Sequence, residues 1–273
     1  MTDWLTALGR LRAGREPAVL VTVTAVRGHA PREAGAKLVV GRSTVSGSVG
    51  GGNLEAVAVD HARKLLQESG GGVRRPEQLS VPLSDKAPYQ HGVQCCGGEV
   101  GLLFEPMPVP PAVAVFGVGH VGLELARILA RHELDLHLVD TRPEQLTDER
   151  LAVLADAVAV LHVHRVPLLP ESVLDDLPSG GHLVIMTHDH AEDIALCDAA
   201  LRADRFGTIG LIGSAGKWAR FRRQLIEAGH PAEAVEVITT PIGVAGLDGK
   251  EPAVIAVSAA AWLLGAFAAP APG

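Results

Sequence analysis

Aromatic residues are scarce in this chain, only 3% of 273. Its core must therefore be assembled from Ala, Val, Leu and Ile, the set that fills parallel sheets covered by helices. Cysteine is equally scarce. Three residues, two of them the adjacent pair Cys95 and Cys96, cannot build a disulfide framework, and the lack of any C-x-x-C pair argues against structural zinc. Basic clusters are missing as well: residues 1–110 carry 12 Lys and Arg against 10 Asp and Glu, and residues 111–273 carry 12 against 21. With a net charge of −7, no cationic footprint is left to displace counterions from nucleic acid. The longest apolar stretch, Ala253 to Ala269, is broken by Ser258 and Gly265 and is short for a membrane span, so it reads as a buried helix. The first 16 residues lack the apolar core of a signal peptide. These absences predict a cytoplasmic protein that binds neither nucleic acid nor membrane.

What the chain does contain is globular material, 47% hydrophobic and 20% charged, long enough for about two domains at ~150 residues each. The clearest seam is Glu105-Pro-Met-Pro-Val-Pro-Pro111, whose four prolines cannot continue a helix and favour an extended linker. The expected division is an N-terminal α/β domain, residues 1–107, and a C-terminal domain, residues 108–273. In the first, Trp4–Arg12 has the pattern of an amphipathic helix, and Val19–Val26 and Lys37–Val40 those of strands. Asn53 follows a glycine run and precedes an apolar periodicity reaching Gln67, so it is the expected N-cap of a helix. In the second, apolar runs at 112–116, 136–139, 157–163, 183–186 and 208–212 alternate with helical stretches such as 121–131 and 194–203. Such alternation specifies βαβ units and a Rossmann-like parallel sheet.

Three motifs carry chemistry. The first is Ala112-Val-Ala-Val-Phe-Gly117-Val-Gly119-His-Val-Gly122, a strand running into G-x-G-x-x-G and a helix. Gly117 permits the turn, Gly119 lets backbone approach a pyrophosphate, and Gly122 lets helix and strand pack. Asp140, 18 residues after Gly122 at the end of the next strand, stands where a ribose hydroxyl would be held. This motif suits NAD or another nucleotide and leaves a nicotinamide-dependent oxidoreductase as an alternative function. The second motif is Gly47-Ser-Val-Gly50-Gly51-Gly52-Asn53-Leu-Glu55, in which successive glycines before a helix free backbone amides for an anion nest. Upstream, the loop from Gly28 to Gly35 and its flank offer Arg32 and Lys37 as cationic partners. The third is Gln94-Cys95-Cys96-Gly97-Gly98, where a thiolate beside glycine amides suits a reactive nucleophile or a soft metal ligand. Cys197 lies on an apolar helical stretch and reads as core. His188-Asp189-His190 reads as loop and cap rather than a metal pair, and His162 and His164 alternate along a strand, so they share a face.

Taken together, these segments resemble the xanthine dehydrogenase accessory protein family (XdhC, related to CoxI). The matching pieces are Val26–Ala36, Gly47–Glu55, Gln94–Gly98, the Rossmann turn, Thr187–His190, Gly210–Ser214 with Lys217, and Ile255–Ser258. The resemblance implies a homodimeric chaperone, not an enzyme. Such a protein binds molybdenum cofactor (molybdopterin), protects it while a cysteine desulfurase supplies its terminal sulfur, and delivers it to xanthine dehydrogenase or a related molybdenum hydroxylase. The motif chemistry fits that implication: Gly50, Gly51 and Gly52 with Arg32 would hold the cofactor's anion beside Asn53, the loop from Gly28 to Gly35 would frame the pterin, Cys95 or Cys96 would approach the metal, and Gly117, Gly119, Gly122 and Asp140 would bind a nucleotide in the Rossmann domain.

Overall fold

A computed structural model describes residues 3–68, 75–83, 98–166, 168–247 and 249–268. They form two compact units that divide between Val109 and Pro110.

The first unit contains α1 (Trp4–Ala13), β1 (Ala18–Arg27), β2 (Lys37–Gly41), β3 (Val45–Gly47), α2 (Gly52–Glu68), β4 (Glu77–Leu83) and β5 (Gly98–Met107). Its strands make an antiparallel sheet in the order β3-β2-β1-β5-β4. The continuous apolar run that opens β1 is explained by two covered faces. Val19, Val21 and Val23 join Leu54, Ala58, Ala62 and Leu65 of α2 in one core, a helical stripe at the spacing that keeps one face inward. Ala18 and Leu20 point the other way and pack with Val39 and with Leu11 of α1. Strand β5, between β1 and β4, carries alternating Val100, Leu102 and Phe104, all fully buried, and extends through Pro106 to Met107. The expected proline linker therefore begins as strand: Pro106 pairs with Val19 of β1, while the ladder to β4 ends at Phe104, so the missing proline N–H costs no bond on that side.

The second unit contains β6 (Ala112–Phe116), α3 (His120–Leu129), β7 (Asp135–Asp140), α4 (Asp148–Leu151), β8 (Val160–Arg165), β9 (His182–Ile185), α5 (His190–Ala203), β10 (Thr208–Leu211), α6 (Ala215–Glu227), α7 (Ala232–Val235), β11 (Ile238–Thr239) and α8 (Pro252–Ala268). The six strands are parallel, in the order β11-β10-β9-β6-β7-β8. This is the expected Rossmann-like sheet, and its order reverses between β6 and β9. Two aliphatic clusters cover its faces, one against α3 and α8, the other against α5 and α6. Each fully buried Leu or Val contributes about 1.5–3 kcal/mol relative to exposure. Three outlines differ from expectation, the first being β8, which spans Val160–Arg165 rather than 157–163. Helix α5 starts four residues earlier than its apolar pattern because Asp189 caps it, accepting from the Ala191 amide at 2.6 Å. Helix α8 is buried on one face only: Ala256, Ala259 and Leu263 are covered, whereas Val257 is 50% exposed. Among the described residues no helix is long and apolar enough to cross a membrane.

The glycines of the Rossmann turn have separable roles. A Cβ on Gly122 would overlap the carbonyl oxygen of Gly117, whereas on Gly119 its nearest neighbour would be the Arg142 guanidinium at 3.8 Å. Gly122→Ala should accordingly lose roughly 2–4 kcal/mol of stability, and Gly119→Ala less than about 0.5 kcal/mol. Denaturant melts of the two variants check this; equal losses would show that the third glycine is not set by packing.

Candidate functional site

In the first unit three separate motifs meet through close backbone approaches. Gly98, which closes the Gln94–Gly98 motif, leaves no room for a side chain because its Cβ would overlap the His29 and Arg27 carbonyl oxygens. Gly50, at φ +135°, lies under Pro31, whose Cγ would stand 2.6 Å from an added Cβ. The loop of residues 28–35 therefore touches Gly98 on one side and the glycine run on the other. Cys95 and Cys96 lie outside the described residues, three and two positions before Gly98 in the chain.

The glycine run does not present the open anion nest that its sequence suggests. Glu55 Oε2 accepts from the Gly51 amide at 3.2 Å and from Ser48 Oγ at 2.7 Å, and Ser48 Oγ in turn accepts from the Gly50 amide at 3.2 Å. Two of the freed amides are thus spent on the chain's own side chains. A carboxylate one turn into a helix is well placed to reach back to the helix N-terminus, where the dipole favours negative charge. Because this cap is already made and α2 begins at Gly52, Asn53 falls inside the first turn rather than at the N-cap. Its side chain does no capping. Asn53 is only 5% exposed, and both Oδ1 and Nδ2 are buried without a hydrogen-bond partner. An unmet buried polar atom costs about 1–3 kcal/mol, and among the described residues this amide leaves two such atoms unmet. Nearby, Arg32 is exposed and makes no ion pair with a described residue. Lys37 is not an available cation: Nζ donates to Thr22 Oγ1 at 3.0 Å and sits 5.6 Å from the Trp4 ring centre.

The Rossmann turn of the second unit is also internally satisfied. Gly117 takes φ +99°, the left-handed conformation for which glycine carries no penalty. Asp140 Oδ2 accepts from the Val118 amide at 2.7 Å, and Oδ1 from the Arg142 amide at 2.9 Å. The Arg142 guanidinium completes the set with Nε on Oδ1 and Nη2 on Oδ2, both at 3.0 Å. A carboxylate offers about four acceptor positions, and all four are filled. Asp140 holds the turn in place; a ribose hydroxyl would have to displace Arg142 to reach it. The crevice lined by Phe116, Gly117, Asp140, Thr141, Thr187 and Glu192 is too narrow to admit even a water molecule, whereas small-molecule sites enclose ~300–1,000 Å³. Thr141 Oγ1 spans it to Glu192 Oε1 at 2.7 Å.

The remaining motif residues are structural. Asp193, fully buried, accepts from the Thr187 hydroxyl at 2.7 Å and the Thr187 amide at 3.1 Å, and forms an ion pair with Lys217. Lys217 also donates to the Ile212 carbonyl at 2.8 Å. Burial pushes the Cys197 thiol up to about 12, so it stays protonated and inert. His162 and His164 do share a face, where His137 stacks on His162 at 4.4 Å and shares a hydrogen bond with His164 at 3.0 Å. The described residues hold no group of three or more arranged to ligate a metal.

Residues 113–263 match the XdhC Rossmann domain family, and residues 11–75 match the XdhC and CoxI family. The chain belongs to the XdhC family. Among relatives, YqeB of Escherichia coli K12 is 24% identical over 259 residues, which is 95% of this chain and 45% of that protein. This XdhC-family chain thus spans less than half the length of that curated relative. A crystal structure from Bacillus halodurans described as a xanthine dehydrogenase aligns over 97% of this chain and 96% of that one, at 19% identity and a TM-score of 0.47.

The Asp140 arrangement sets a pH expectation. Burial works to raise its pKa, but the side-chain and backbone hydrogen bonds from Arg142 and the Val118 amide outweigh it, and the carboxyl titrates below its usual 3.8. A depressed folded pKa contributes stability that is present above the unfolded value and lost as pH falls through the folded one. Asp140→Asn should cost roughly 2–4 kcal/mol at pH 7, with the gap to the parent protein closing below about pH 4. A gap that stays constant down to pH 3 in urea melts contradicts this assignment.

Proposed function

We propose that this protein binds molybdenum cofactor in its first unit, shields it during sulfuration by a cysteine desulfurase, and delivers it to xanthine dehydrogenase or a related molybdenum hydroxylase. The observation that carries this reading is the convergence of the loop 28–35, the glycine run and Gly98 in one unit of an XdhC-family chain. The cofactor's pyranopterin is a heterocycle rich in hydrogen-bonding groups, and the orphaned buried amide of Asn53 is the kind of group that such a ring satisfies. The fit therefore favours the pterin in this unit. Arg32 supplies the exposed cation for its phosphate. Cys95 and Cys96 supply thiols for the metal, since molybdenum dithiolene centres favour soft ligands. When bound, the cofactor brings the redox centre that the receiving hydroxylase uses. The role of this chain is to hold and cover it, as a homodimer. We place no nicotinamide chemistry in the second unit, because the Asp140 acceptor positions are spent on Arg142 and Val118.

The direct test is the metal and pterin content of the protein purified from cells that make the cofactor. Molybdenum and pterin in near-equal amounts are expected. Replacing both cysteines, Cys95→Ser with Cys96→Ser, should lower retained molybdenum about tenfold, a loss equivalent to ~1.4 kcal/mol, with no fall in melting temperature. Purification with nicotinamide and no molybdenum would overturn the reading.

A further inference from the structure

We infer that the Asn53 carboxamide is the group that recognises the cofactor's heterocycle. Its Oδ1 accepts from a ring N–H, and its Nδ2 donates to the adjacent ring C=O, on the pyrimidinone edge of a pterin. The inference rests on the cofactor reading above and adds the recognition chemistry to it. Four buried side-chain atoms among the described residues lack any hydrogen-bond partner: Arg63 Nε, Thr240 Oγ1 and the two polar atoms of Asn53. Only Asn53 leaves a donor and an acceptor open side by side, and that pair is the complement of a cis-lactam.

Three features say that this amide is not kept for the fold. Asn is a weak helix former that is favoured mainly where its side chain caps the backbone, and here Glu55 and Ser48 already serve the Gly51 and Gly50 amides. The residue is 5% exposed, so it gains nothing from water. Its neighbours in the chain are the core residue Leu54 and a glycine run pressed against the loop of Pro31, an apolar and close-packed setting in which an unmet amide is costly. Electrostatics points the same way. The Glu55 carboxylate occupies the positive end of α2, so an incoming phosphate or other anion meets like charge there, whereas a neutral lactam edge does not. Because both Asn53 atoms are covered, the heterocycle must uncover them as it enters, which couples binding to a local opening.

The experiment compares the parent protein with Asn53→Leu, which keeps the branched skeleton but puts larger methyl groups in place of both polar atoms, and with Asn53→Ala, which removes them without demanding space. Each is purified from cells that make molybdenum cofactor. Bound pterin is read by fluorescence after oxidative release, per mole of folded protein, and the melting temperature is read on cofactor-free protein. The expected result is at least a tenfold loss of pterin in both variants, with the cofactor-free melting temperature of at least one of them equal to or above that of the parent. Pterin retention equal to the parent in either variant overturns the inference and leaves the cofactor reading standing. A lowered melting temperature in Asn53→Leu and Asn53→Ala alike overturns it too, since it assigns the amide to the fold. A parent protein that retains no pterin overturns both.

Discussion

Both units depend on an internal carboxylate that satisfies the backbone amides of a glycine turn. Glu55 meets the Gly51 amide before α2, and Asp140 meets the Val118 amide before α3. Glycine turns at helix starts leave donors without intrahelical partners, and a chain that binds nothing there must meet them from within. These two contacts fix the turn shapes on which the neighbouring elements pack: Pro31 over Gly50, and Met186 against Gly117. They also cancel the attraction that each turn would otherwise have for an anion. A positive nest that holds its own anion is a neutral surface, and the Arg142 guanidinium, locked to Asp140 by two hydrogen bonds, is the counter-charge of a structural pair.

Selectivity is then left to groups that the fold has not used. In the first unit those are the Asn53 amide, with both polar atoms unmet, and the exposed Arg32 on the adjoining loop. In the second, Lys217 is committed to Asp193, and Thr141 to Glu192. The unit whose sequence carries the sharper ligand motif is thus the one with fewer open groups.

The parallel sheet was legible because strands β6 to β10 are apolar runs punctuated by glycine and acid, and periodicity alone locates β6 at Ala112–Phe116. Strand β5 was not read from the sequence, although Val100, Leu102 and Phe104 alternate with Gly101, Leu103 and Glu105. Only its last three residues, 105–107, fall within the expected proline linker. Alternation was the available signal. At the site, sequence spacing located the glycine turns but not the state of their amides, because Glu55 and Asp140 act through distances that no spacing rule encodes. Asn53 was legible as a helix-start residue; its idleness as a cap depends on Glu55 having taken that task. Cys95 and Cys96 remain where the sequence placed them, in a motif whose last residue, Gly98, packs on the carbonyls of Arg27 and His29.

The central claim is that a ligand engages the first unit's glycine run and leaves the Rossmann turn untouched. Hydrogen–deuterium exchange of the protein with and without bound molybdenum cofactor tests it most directly. The account predicts slowed exchange confined to residues 28–36, 48–58 and 94–98, with residues 117–123 and 139–142 unchanged. Protection centred on the Rossmann turn, with the first unit unaffected, would contradict it.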